Sequence, residues 1–117
     1  MPFRRWQSNV TLAILFATGI AGLAAASSAQ DTKFSVSIKD HKFDPPTVEV
    51  PSGVKFILIV KNLDPTPEEF ESYELNREKI VSGNGEISVF LGPLEPGQYP
   101  FFGEFHADTA QGQLIAK

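Results

Sequence analysis

From residue 33 onward, apolar and polar positions alternate in short runs. Phe34, Val36 and Ile38 are separated by serines, the period-two pattern of a half-buried strand. Val48 and Val50 repeat the alternation, and Pro51-Ser-Gly53 after them signals a turn. Residues 54–60 are apolar except for Lys55 and rich in β-branched side chains, which predicts an interior strand of a sandwich. Two prolines make 62–67 a loop. The stretch 68–79 is ambiguous: 68–71 reads as a short strand, and 73–79 as one helical turn or a loop. Ser82-Gly-Asn-Gly85 is a turn, and Ile87, Val89 and Leu91 share one face of a further strand. A tight corner at 94–99 leads into a strand over 98–102, and 113–116 forms the last. Short strands at intervals of roughly 8–12 residues with Gly/Pro turns predict an all-β sandwich. Two sheets about 10 Å apart would enclose Phe34, Phe43, Phe56, Phe90 and Phe101.

The first 29 residues follow a different rule. Arg4 and Arg5 precede an uncharged apolar run over 11–26, and Ser27-Ser28-Ala29 supplies small residues before Gln30. This is the layout of a secretory signal peptide, with cleavage after Ala29 and a site after Ala26 as the alternative. The run of 16 residues falls short of the roughly 20 that span a bilayer. The expected organisation is therefore a signal peptide over 1–29 and one small domain over 30–117, exported to the periplasm.

Composition then narrows the chemistry. The 117 residues include ten Phe, no Cys, and one Met, the first residue. Disulfides, thiolate metal clusters and thiol catalysis are excluded. The formal charge is −4, and loss of 1–29 removes two arginines and no acid, leaving −6. That balance argues against nucleic acid, which requires a basic face. No internal repeat, phosphate-binding glycine loop or Ser-His-Asp pattern is present.

Three segments in order resemble the cupredoxin family: Phe43-Asp-Pro45 with 48–53; Val60-Lys-Asn62 leading to Glu68-Glu-Phe70; and Leu94-x-Pro-Gly-x-Tyr99-x-Phe101-x-Gly103-x-x-His106, ending in Gly112-Gln-Leu114. The resemblance implies a Greek-key β-sandwich. It also implies ligand positions. Where blue-copper members carry His, Cys, His and Met, this chain has Glu68, Gly103, His106 and Ala110. A blue-copper site needs a thiolate, so fast electron transfer of that type is excluded.

The residues left at that rim are imidazoles and carboxylates, a set suited to iron, copper(II), zinc or manganese. His106, His41, Glu68 and Glu104 are the first candidates for metal ligands, with Glu69 and Asp108 behind them. Strand alternation puts only one of Glu68 and Glu69 toward the site, and parity with an apolar Phe70 favours Glu68. Glu71, Glu74 and Glu78 read as a solvated acidic face. The strings 68–72, 74–79 and 102–106 also resemble cupredoxin-like proteins of bacterial ferrous-iron uptake systems. That likeness implies a protein that binds Fe²⁺, with ferroxidase-type oxidation left open, and that works with an iron permease and other periplasmic or membrane components. The alternatives are a type-2 copper carrier and a metal-free interaction module.

Overall fold

The computed structural model describes residues 32–117. The expected signal peptide and the boundary at residue 29 lie outside the described residues. Nine strands follow one another: β1 (Lys33–Lys39), β2 (Lys42–Asp44), β3 (Thr47–Val50), β4 (Phe56–Asn62), β5 (Glu68–Ser72), β6 (Arg77–Val81), β7 (Glu86–Leu91), β8 (Gly97–Gly103) and β9 (Gln111–Ala116). A 3-10 turn, Glu104–His106, joins β8 to β9. The strands form a four-stranded sheet, β2-β1-β4-β7, and a five-stranded sheet, β3-β9-β8-β5-β6. β1 runs parallel to β4 and β3 parallel to β9, while the other pairs are antiparallel. This is an all-β Greek-key sandwich in one small domain. Among the described residues, no helix is long and apolar enough to cross a membrane.

Alternation decides which side chains meet between the sheets. Val36 and Ile38, Leu58 and Val60, and Val89 and Leu91 face inward from one sheet. Val48, Val50, Phe70, Val81, Phe101 and Leu114 face them from the other. Phe43 packs edge-on against Phe101 at 4.8 Å and 89°, and Phe101 lies 5.1 Å from Phe70. Edge-to-face contact of this kind adds about 0.5–1.5 kcal/mol beyond the area buried. The phenol of Tyr99 donates to the Glu95 carbonyl at 2.7 Å, pinning the corner that opens β8.

Two expectations are corrected. Phe90 is 66% exposed, not enclosed, because Val89 and Leu91 already take the inward positions of β7 and alternation turns their neighbour outward. The segment after Tyr73 is neither a helical turn nor all loop: it is a turn over 73–76 followed by strand β6. Ser72 shapes that turn, its hydroxyl accepting from the Leu75 amide at 3.1 Å and donating to the Pro100 carbonyl at 2.6 Å. β2 is an additional strand, three residues long, that makes a hairpin with β1 and places His41 at its tip.

Candidate metal centre

Three segments meet at one end of the sandwich. The β1–β2 turn carries His41, the first residue of β5 is Glu68, and the 3-10 turn after β8 ends in His106. One ligand atom from each lies within 4.8 Å of the others.

Glu68 organises the group. On β5 it shares parity with Phe70 and Ser72, so it points inward and is 1% exposed. Its Oε1 accepts from the amides of Phe105 at 2.8 Å and Glu69 at 3.1 Å. Its Oε2 lies 2.5 Å from His106 Nδ1. A buried carboxylate needs such partners, because an unpaired one costs several kcal/mol, on the order of 3–5 when one partner of a buried pair is removed. The position of Gly103 explains where the carboxylate fits. A Cβ built there would stand 2.6 Å from Glu68 Cδ and 2.8 Å from Ala110 Cβ. The space that a side chain at 103 would enter is filled by Glu68.

His41 stacks on His106, with ring centroids 3.6 Å apart and planes 13° from parallel. Its backbone is held by Thr109, whose hydroxyl donates to the His41 carbonyl at 2.7 Å. On the other side, Asp64 accepts from the amides of Asp40 at 2.8 Å and His41 at 3.0 Å. The same carboxylate lies 3.5 Å from His41 Nδ1. The His41 amide, opposed by partial burial and reinforced by the Asp40 amide and the nearby imidazoles, holds the Asp64 carboxyl below the usual carboxylate range. Asp64 was not among the sequence candidates. It sits in a Pro-punctuated loop that sequence pattern alone reads as a connection, and only the fold brings it under a turn 23 residues earlier.

The other candidates lie elsewhere. Glu69 faces the opposite side of β5 from Glu68, as parity requires, and joins Glu71 and Glu78 in a second group of carboxylates within 4.8 Å. Glu104 is exposed and acts on this outer group, raising the carboxyls of Glu69 and Glu71. The Glu69 carboxyl is pushed up to about 7, first by its hydrogen bond with Glu78 and then by burial and the charges of Glu78, Glu71 and Glu104. Burial, followed by the Glu104 and Glu78 charges, raises Glu71, and the Glu71 charge raises Tyr73. Asp108 is exposed and belongs to neither group. A surface hollow of about 510 Å³ beside Phe90 and Ile57 shares no residue with either.

The chemistry of His41, Glu68 and His106 is that of two nitrogen donors and one oxygen donor. It fits a borderline or hard divalent ion and does not fit a blue-copper centre, since that centre needs a thiolate and the chain has no cysteine.

A small all-β sandwich of two sheets with its candidate site at one end is the architecture of the cupredoxin class. Residues 10–116 match the cupredoxin-like domain family, and the chain belongs to it. The curated Rickettsia prowazekii (strain Madrid E) protein named Uncharacterized protein RP394 is 56% identical over 80 residues, 68% of this chain. The chain spans 64% of that relative's length. Solved structures show the same fold at low identity. The metal binding domain of the Streptococcus pneumoniae D39 Cu(I)-exporting P-type ATPase CopA, with Cu(I), is 14% identical with a TM-score of 0.65, over 73% of this chain and 84% of that one. Auracyanin A, a "blue" copper protein of Chloroflexus aurantiacus, is 12% identical with a TM-score of 0.62, over 73% of this chain and 98% of that one. Amicyanin from Paracoccus versutus is 19% identical with a TM-score of 0.59, over 80% and 88%.

Proposed function

We propose that this protein is an exported, periplasmic metal-binding member of the family whose centre is His41, Glu68 and His106, and that its cargo is ferrous iron destined for an iron permease. The observation that carries the metal reading is the convergence of two imidazoles and one carboxylate within 4.8 Å in a chain without cysteine. Two histidines with a carboxylate and open positions are a known arrangement for Fe²⁺. The permease and the periplasmic setting rest on the sequence resemblance and the leader-like first 29 residues. The outer carboxylates Glu69, Glu71 and Glu78 support the reading in a general way, because an acidic face raises the local cation concentration.

A copper(II) cargo is the second reading. It is favoured by the higher affinity of N/O sites for copper(II) than for iron(II), and the structural neighbours are named for copper, as Cu(I) in one of them. Anaerobic calorimetric titration of the purified protein with Fe²⁺ and, separately, Cu²⁺ at micromolar concentration tests both. Saturable Fe²⁺ binding that His106→Ala abolishes supports the first reading. Cu²⁺ binding without Fe²⁺ binding supports the second, and no binding of either ion rejects the metal centre. Following Fe²⁺ loss in air with and without the protein then shows whether the cargo is also oxidised.

A further inference from the structure

His41 stands where a glycine is the better residue. β1 and β2 pair up to Lys39 and Lys42, so only Asp40 and His41 make the turn. Both are left-handed, with φ of 52° and 58°. This is the twist that two-residue hairpins need, and the second position is ordinarily Gly because a Cβ is disfavoured there. A β-carbon held in this region at a candidate site points to a constraint that the surroundings impose.

The surroundings supply that constraint through one carboxylate. Asp64 Oδ1 takes the Asp40 amide and Oδ2 takes the His41 amide, while Oδ2 also faces His41 Nδ1 at 3.5 Å. Asp64 is 7% exposed and is itself fixed. Its amide donates to Asn62 Oδ1 at 3.0 Å, and its carbonyl accepts from the Asn84 amide at 2.8 Å. Asn62 is anchored in turn by donating from Nδ2 to the carbonyls of Thr66 at 2.8 Å and Ser82 at 3.2 Å. A rigid path thus runs from the end of β4 to the imidazole of His41.

We propose that Asp64 is the positioning residue of the centre: it holds the 40–41 turn left-handed, seats the His41 ring on His106, and selects which ring nitrogen of His41 stays free for a ligand. The proposal rests on His41 being a metal ligand. Carboxylates behind metal-bound histidines do this elsewhere, and their loss weakens metal binding by roughly 10–100-fold.

Four proteins test it: wild type, Asp64→Asn, His41→Ala and the double variant, each titrated with Cu²⁺ as the probe. Asn keeps the volume but offers a single acceptor, so one of the two amides loses its partner. The expected result is a loss of roughly 10–100-fold in Asp64→Asn, with the double variant no weaker than His41→Ala alone. An equal further loss in the His41→Ala background overturns the proposal, as does unchanged affinity in Asp64→Asn. A second readout uses the metal-free protein: the imidazole nitrogen shifts of His41 should move toward a tautomer mixture in Asp64→Asn while those of His106 stay fixed. If His41→Ala leaves Cu²⁺ affinity intact yet these shifts move, the ligand reading fails and the positioning contact stands. If the shifts do not move, the positioning fails. Should Asp64→Asn not fold, Asp64→Ser, which also keeps one acceptor, replaces it in the same comparison.

Discussion

Glu68 and Gly103 are two halves of one decision about donor type. The carboxylate is buried, accepts two amides and touches His106, and it occupies the space that a side chain at 103 would need. Adding only a methyl there, Gly103→Ala, places a carbon within 2.6 Å of Glu68 Cδ and 2.8 Å of Ala110 Cβ. Overpacking of this kind costs about 1–3 kcal/mol. The expected outcome is that loss in urea unfolding, together with weaker metal binding in calorimetry as Glu68 is displaced from His106. Glu68→Gln separates charge from shape. The amide oxygen of Gln keeps the Phe105 and Glu69 donors, so unfolding should change far less than in Glu68→Ala, while metal affinity falls in both. Much of this residue's role was legible beforehand, because inward parity with Phe70 follows from the alternation of a strand. Its pairing with His106, 38 residues away, was not. Asp64 was illegible for the same reason: its meaning lies in a turn brought to it by the sheet, not in its neighbours along the chain.

The β5–β6 hairpin shows how pairing overrides local pattern. Arg77-Glu-Lys-Ile-Val81 has no alternation to mark it as a strand, and its first four residues are exposed. It is a strand because it lies along β5 at the edge of its sheet and reaches across to the edge of the other. Arg77 donates to the Phe90 carbonyl at 3.1 Å and Lys79 to the Ser88 carbonyl at 3.3 Å, covering the open side of β7. The pairing also sets Glu71 directly opposite Glu78, and like charges so placed destabilise a sheet. The Glu69 carboxyl, raised to about 7 against an ordinary 4.5, gives the sign. Between those values the folded chain holds a proton that the unfolded chain has released. Stability therefore falls as pH rises through that window and recovers on acidification. Glu78→Gln removes the opposing charge and should raise the melting temperature at pH 8, with little change at pH 5. Thermal melts followed by circular dichroism at both values check it, and equal shifts at the two would reject the electrostatic cause.

Taken as a whole, the molecule separates scaffold from centre. The sheets close over Phe43, Phe70 and Phe101 with no contribution from His41 or His106, and the three candidate ligands are already paired with one another. Removing metal with a chelator should therefore leave a cooperative unfolding transition and an unchanged β-sheet spectrum. Added ion should raise the melting temperature in proportion to RT ln(1 + [L]/Kd). The pairing has a second consequence. His106 Nδ1 faces a carboxylate, and the two rings lie 13° from parallel, so their in-plane lone pairs do not meet at one point. An ion bound through both rings has to turn one of them, and an ion bound at His106 Nδ1 or at the Glu68 oxygen beside it has to displace any proton shared between them. Metal binding should accordingly release protons, and affinity should fall as pH falls. Titrations in buffers of different ionisation enthalpy measure that release directly. A proton count near zero, with affinity flat between pH 8 and pH 5, would mean that the ion leaves the contact between His106 Nδ1 and Glu68 intact. The same fall in affinity retained by His106→Ala would place the proton elsewhere.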